Sequence, residues 1–385
     1  MKLRSQDKKQ RFDVSSHLEG LHGDQRRCMK SLDYYLRKYN SLSLDGGKIL
    51  SYARQAQRRT TLRRIVHQLY ELGFKLVDIV NLKPKHVEAL AKHWFEMGLK
   101  GSSINIYFSS LVALAQWIEK KGMVLSPKSY YENPAFLKSR TAAEKPIGWF
   151  EQPDFDLDGA IRGIVADDVQ VMVVLLLQSA FGLRIAEASQ CHPIIGDQQT
   201  HLEVNWGPKG GRKRSVPIRE EHQSEVLDLA KQFAIGPSGS MIPKQYSKKQ
   251  WLDHMSYVLR KNGISRKNGL TPHGLRHSYA VRLYERLTDS VAPVKGVVDA
   301  ALDKATAYQA RQITAQHLGH NRDVITNMYT GNPRVAQKQD GVVSTHMTRE
   351  EIAAVQTEPA RHHQPLEIFQ RILLEASQKA EEKEA

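Results

Sequence analysis

Cysteine is scarce: Cys28 and Cys191 are the only two in 385 residues. Two thiols supply neither a disulfide framework nor a four-ligand zinc site, so a reducing, cytoplasmic setting is expected. Long apolar runs are also missing. The longest, Val171–Leu177, falls far short of the ~20 residues a membrane helix needs. The opening Met1-Lys-Leu-Arg-Ser-Gln-Asp is too polar for a signal peptide. No internal repeat is visible, and a hydrophobic content of 41% excludes wholesale disorder. Secreted, membrane-spanning and collagen-like classes drop out.

Positive charge is present in excess, with a formal net of +15 that is spread unevenly. Residues 1–150 hold 27 Lys and Arg against 13 Asp and Glu, whereas 151–340 hold 24 against 20 and 341–385 hold 5 against 8. A basic half joined to a nearly neutral half suggests one module that grips a polyanion and another with a more specific task. Nucleic acid and a membrane surface both qualify as that polyanion.

Length and pattern predict two domains with a tail. Residues 1–24 read as a polar arm and 25–140 as a helical domain. Leu62, Ile65, Val66 and Leu69 recur at helical spacing, and Arg54, Arg58, Arg59, Arg63 and Arg64 on or beside that helix are expected to project away from the stripe. Such a cluster is either a solvated face or a phosphate-contacting one. Gly101-Ser102-Ser103 reads as a turn with an N-cap before a second amphipathic helix carrying Ile104, Phe108 and Leu111. Residues 123–150, with Pro127, Pro134 and Pro146, read as a linker. Beyond it, Asp167-Asp168 precedes a segment expected to form a buried helix. Residues 201–206 and 215–218 read as a β-hairpin whose glycine-rich tip holds Lys209, Arg212 and Lys213.

Four local patterns carry chemistry. Arg184 follows the buried segment, with Glu187 three residues on; Lys209 lies in the hairpin tip. His273-Gly-Leu-Arg276-His277 opens a helix after Thr271-Pro272, so residues 273, 276 and 277 share one face. Leu318-Gly319-His320 precedes Tyr329 by nine residues from the histidine. Each is weak alone, and a lone arginine–glutamate pair or turn lysine is most often structural. The ordered set resembles the catalytic signature of tyrosine recombinases, the phage-integrase family. The resemblance covers residues 146–335, and more loosely 25–140 as that family's DNA core-binding domain.

The physical chemistry agrees with the resemblance. A DNA phosphodiester is anionic, and the forks of Arg184 and Arg276 suit its nonbridging oxygens. A tyrosine hydroxyl is a poor nucleophile until its proton is accepted, which a neutral His273 can do for Tyr329. His320 would donate to the phosphate or hold Tyr329 in place. Lys209 would protonate the leaving 5′-oxygen, with Lys213 as the fallback. The resemblance implies a 3′-phosphotyrosyl link, with no metal and no ATP or other cofactor. His273, His277, His317 and His320 read poorly as zinc ligands, because Arg276 beside them opposes a cation and no cysteine completes the set. His362-His363 reads as solvated tail.

The expected fold is mainly α with a small β-sheet: a helical core-binding domain plus an α+β catalytic domain at 146–340. The tail, 341–385, carries a helix from Pro365 that the resemblance implies is exchanged between protomers. Arg276 and His320 are 44 residues apart, more than the family usually shows, and 287–312 is expected to form an inserted helical excursion on the surface, with a helix over 297–310. The resemblance implies double-stranded DNA with specific recombination sites as partner, a homotetramer on it, accessory DNA-bending or directionality proteins, and a cytoplasmic, nucleoid-associated setting. The leading expectation is a site-specific recombinase serving a phage or mobile element. A type IB topoisomerase-like enzyme and a non-catalytic DNA-binding regulator on the same scaffold are the alternatives.

Overall fold

The computed structural model describes residues 16–45, 47–138, 140–149, 152, 155–207, 213–234, 239–320, 322–336, 343–345, 365–372 and 375. The chain divides into two compact units, Met1–Ser139 and Arg140–Ala385.

The first unit is built on α1 (Gly23–Tyr39), α2 (Tyr52–Glu71), α3 (Pro84–Glu96) and α4 (Gly101–Trp117). The stripe Leu62, Ile65, Val66 and Leu69 faces a core shared with Leu32, Trp94, Phe108 and Leu111. Removing these side chains from water drives the packing, at roughly 1.5–3 kcal/mol for each one fully buried. The start of α4 differs from expectation. Lys100 is the N-cap and Gly101 already lies in the helix, packed so closely that a Cβ there would stand 2.1 Å from the Phe136 carbonyl oxygen. The segment 123–138 is not a free linker. It folds back as short 3₁₀ turns at Pro127–Tyr130 and Pro134–Leu137, with the Tyr131 hydroxyl donating to Ala91 O at 3.1 Å and Asn105 Nδ2 to Leu137 O at 3.0 Å.

The second unit continues with α5 (Leu157–Asp167), α6 (Val169–Phe181), α7 (Ile185–Ser189) and α8 (Pro193–Gly196). Asp168 caps α6, its carboxylate accepting from the N–H groups of Gln170 and Val171, which satisfies donors the first helical turn leaves open. Every residue from Val171 to Phe181 is buried, so α6 is the axis of this core. The hairpin pairs β1 (His201–Val204) with β2 (Arg214–Pro217), in the register His201↔Pro217 and Val204↔Arg214. Its tip at 208–212 lies outside the described residues. Then come α9 (Glu221–Phe233), α10 (Lys248–Lys261) and α11 (Pro272–Thr288).

The segment after α11 corrects the sequence expectation. Asp289 leaves the helix at φ 50°, and Val297–Asp299 forms β3, which pairs in parallel with β4 (Val343–Thr345). The next helix, α12 (Lys304–His317), starts only after its cap Asp303. This is no surface excursion: Ala292 and Val294 pack with Val281, Tyr284 and Ala310 in a small core of their own. Lys295 Nζ pairs with buried Glu285 at 2.8 Å, and the Ala292 N–H donates to the same carboxylate at 3.0 Å. The short helices α13 (Asn327–Thr330) and α14 (Pro333–Ala336) follow.

Of the tail, only 343–345, 365–372 and 375 are described, so the remainder of 341–385 lies outside the described residues, as do residues 1–15 of the arm expected at 1–24. The rest of that arm is folded, with Leu18 and Leu21 buried in the first unit's core and α1 already begun at Gly23. The helical residues 365–372 lay Leu366, Ile368 and Phe369 into the core of their own unit. Arg162 Nη1 adds an ion pair to Glu375 at 2.9 Å. Among the described residues no helix is long and apolar enough to cross a membrane.

Candidate active site

The first turn of α11 sets the site. Pro272 occupies the first helical position, where a missing N–H costs nothing. Trp149 fastens this end: its Nε1 donates to Thr271 O at 2.7 Å. His273, Arg276 and His277 then project from one face towards Tyr329 on α13.

Arg276 is fully buried. Its Nη1 donates to Gly182 O at 2.6 Å and its Nη2 to Leu318 O, so two main-chain carbonyls fix the plane of the guanidinium. Gly182 ends α6 at φ 60°, and a Cβ there would lie 2.3 Å from the Tyr279 ring. Only glycine turns the chain at that point and keeps the carbonyl on Arg276. The remaining donors of Arg276 meet reactive side chains. Nε reaches the Tyr329 hydroxyl at 3.3 Å and Nη2 reaches His320 Nε2 at 3.2 Å. The same hydroxyl lies 3.4 Å from His273 Nε2. The His277 ring packs on Tyr329, with centroids 4.4 Å apart.

Arg184 joins through Glu187. The Arg184 N–H donates to Glu187 Oε2 at 2.8 Å and its Nη1 to Oε1 at 2.6 Å. Arg276 Nη1 stands 3.7 Å from Oε2. Burial alone would raise the Glu187 pKa, but Arg214 and Arg184 outweigh it and hold the carboxyl at about 2. The imidazoles are pushed the other way. Burial, then Arg276 and Arg184, lowers His273 to about 4. Burial with His273 and Arg276 lowers His277 to about 3, and burial with Arg276 lowers His320 to about 3. All three are neutral at pH 7. His273 is therefore a proton acceptor, and His320 Nε2, facing the Arg276 cation, is an acceptor too. That nitrogen already meets a guanidinium, which tells against a metal ligand role.

The structure thus brings Arg184, His273, Arg276, His320 and Tyr329 together: Arg276 and Tyr329 are buried, Arg184 and His320 half-buried, and His273 is exposed. Lys209 and Arg212 lie outside the described residues, and Lys213 is exposed beside them. Two residues that sequence reasoning passed over belong here as well: Trp149, placed in the supposed linker, and Arg214, which bonds Glu187 and His317. A bulky aromatic amid linker residues was the available signal for Trp149; Arg214 had none.

The arginines of α2 do not all point outward as expected. Arg58 is buried, its guanidinium 5.4 Å from the Trp117 ring centroid and its Nη1 on Leu42 O. Arg63 is spent on Asp33, with Nη2 at 2.9 Å from Oδ1. Arg59 is half-buried, while Arg54 and Arg64 are exposed. Arg64, with Gln57, Thr60, Ser103 and Tyr107, lines a groove of about 190 Å³ between α2 and α4.

A buried tyrosine whose hydroxyl sits between an arginine and a neutral histidine, on a mainly helical domain with a two-stranded hairpin, is an arrangement suited to the class of proteins that act through a tyrosine. The comparisons agree with that class. An integrase family model matches residues 146–282 and a phage integrase N-terminal model matches 29–124. The first match stops before the 289–303 segment. Tyrosine recombinase XerC of Shewanella sp. (strain ANA-3) is 24% identical over 304 residues, covering 74% of this chain and 94% of that protein. Tyrosine recombinase XerA of Pyrococcus horikoshii is 32% identical over 130 residues, covering 32% and 45%. The fold is that of a lambda integrase dimer bound to a COC′ core site, with a TM-score of 0.52 at 16% identity, covering 82% of this chain and 80% of that one. It is also that of XerH site-specific recombinase bound to a palindromic difH substrate, with a TM-score of 0.51 at 13% identity, covering 83% and 97%. The chain belongs to the tyrosine recombinase family, the phage integrases.

Proposed function

We propose that this protein is a site-specific DNA recombinase that cuts and rejoins duplex DNA through a 3′-phosphotyrosyl intermediate on Tyr329. The observation that carries this is the Tyr329 hydroxyl held between Arg276 Nε and His273 Nε2 at 3.3 and 3.4 Å. Tyr329 Oη bonds to the scissile phosphorus, its proton passes to His273 Nε2, and the P–O5′ bond breaks. Arg184 and Arg276 neutralise the nonbridging oxygens as charge builds on them. The Tyr329 and His320 partners of Arg276 are the two that phosphate oxygens can replace, since the main-chain carbonyls and Glu187 face the other donors. Lys209 protonates the departing 5′-oxygen in this scheme, a role taken from the family resemblance. A 5′-hydroxyl from another strand then reverses the step and frees the tyrosine. One phosphodiester replaces another, so ATP is not consumed.

Exchange between two duplexes needs four strand cuts, and each chain offers one Tyr329. A homotetramer on two recombination sites follows. Because the chemistry is reversible, direction must come from accessory DNA-bending or directionality proteins. The exposed Arg54 and Arg64, with Arg59 beside them and Arg212 and Lys213 of the hairpin tip, are proposed to meet DNA phosphates. A substrate of this kind places the protein with the nucleoid in the cytoplasm, and a phage or mobile element is the proposed beneficiary. The topoisomerase and regulator alternatives are not favoured: the full-length relatives are recombinases, and the described catalytic set is intact.

Covalent trapping tests this. Nicked duplexes from the DNA flanking the gene are mixed with protein and denatured. DNA-linked protein is expected from wild type and absent with Tyr329→Phe. Binding without an adduct would instead support the regulator.

A further inference from the structure

Arg214 is the first residue of β2 and takes no part in the scheme above. It is nonetheless buried, with a side chain 7% exposed. Its Nη1 and Nη2 grip Glu187 at 3.1 Å to Oε1 and 2.8 Å to Oε2, and its Nε donates to His317 O at 2.8 Å. A parallel two-donor fork of this kind fixes both partners in angle as well as in distance. Each partner leads directly to a group proposed above to act at the scissile phosphate. Glu187 holds the main-chain N–H and the guanidinium of Arg184. His317 ends α12, and the next three residues are Leu318, whose carbonyl holds Arg276, then Gly319 and His320. Gly319 turns at φ 65° directly against the Arg214 stem, where a Cβ would come within 3.0 Å of Arg214 Cδ. Nothing larger than glycine leaves the arginine and the turn so close.

We infer that Arg214 is a positioning residue for strand cleavage: through Glu187 it aims Arg184, and through the His317 carbonyl it seats the turn that carries His320. The inference rests on Arg184 and His320 acting at the phosphate, as proposed above. Lysine cannot replace it. A single ammonium keeps the charge beside Glu187 but cannot span two carboxylate oxygens and a carbonyl at once.

The test compares two substrates on the duplex that yields the Tyr329 adduct. One carries the ordinary scissile phosphodiester; the other carries a methylphosphonate there, whose linkage has no negative charge to neutralise. Arg214→Lys, which retains the charge needed for folding, and Arg214→Met are each measured for DNA affinity and single-turnover cleavage. Affinity is expected to stay at the wild-type value. Cleavage of the phosphodiester should fall on the order of 10²-fold in Arg214→Met, with Arg214→Lys between. On the methylphosphonate both variants should lie within about threefold of wild type, because aimed cations no longer matter there. Equal losses on the two substrates would reduce Arg214 to a fold-holding residue and overturn the inference. A wild-type protein with no Tyr329-dependent adduct on the phosphodiester would overturn the recombinase function itself, and the role of Arg214 with it.

Discussion

Arg276 Nε donates to the Tyr329 hydroxyl across 3.3 Å from a guanidinium with no exposed surface. Its orientation is decided elsewhere, by the carbonyls of Gly182 and Leu318. Arg276→Lys keeps a cation but loses the fork, leaving a main-chain carbonyl without a partner and the tyrosine hydroxyl with His273 alone. Strand cleavage is expected to fall by about 10²–10³-fold. The melting temperature should fall too, since each orphaned buried acceptor costs about 1–3 kcal/mol. Single-turnover cleavage and a thermal melt check the two halves separately.

Acid should destabilise the free protein well above the carboxylate range. Burial, reinforced by nearby arginines, holds His273 and His317 at about 4 and His320 at about 3, and burial with His273 holds His277 at about 3. The unfolded chain takes up these protons as pH falls through ~6.5, whereas the fold resists them until about 3–4. Stability present at neutral pH is therefore lost across that window. Glu187, held at about 2, adds a second loss below the ordinary carboxylate pKa. Melting temperature should drop from pH 7 to pH 5; no change would contradict imidazoles held neutral by the fold.

The arginines of α2 should separate by salt dependence. Arg54→Ala and Arg64→Ala remove exposed cations, and each is expected to lower the slope of log affinity against log salt by about 1 on any duplex. Arg63→Ala should instead lower the melting temperature, because it leaves buried Asp33 without its guanidinium. Titrations at several salt concentrations, with melts alongside, distinguish the two behaviours.

Lys295→Met tests the segment after α11. Removing one partner of a buried pair leaves the Glu285 charge uncompensated, at about 3–5 kcal/mol. Adding Glu285→Gln should recover part of that loss. Chemical denaturation of wild type, single and double variants measures it.

Much of the site was legible because its grouping is local. His273, Arg276 and His277 sit at helical spacing behind a proline, so one face follows from the period alone. The buried helix α6 announced itself by an apolar run behind Asp168. What escaped depends on partners distant in sequence. Arg58 and Arg63 look alike on a helical wheel, and only Trp117 and Asp33 take them inward. Val297-Val298 becomes a strand because Val343-Ser344 pairs with it. Arg214 reads as one more cation of a basic hairpin until Glu187 and His317 are seen around it.

The most direct test of the central claim is to identify the bond itself. The trapped adduct is digested with protease and nuclease and sequenced by mass spectrometry, while the released DNA end is probed with a kinase that phosphorylates 5′-hydroxyls. The account predicts a nucleotide joined through its 3′-phosphate to the peptide containing Tyr329, and a released end that accepts a 5′-phosphate. Linkage to any other residue, or a 5′-phosphotyrosyl bond with a free 3′-hydroxyl, would contradict it.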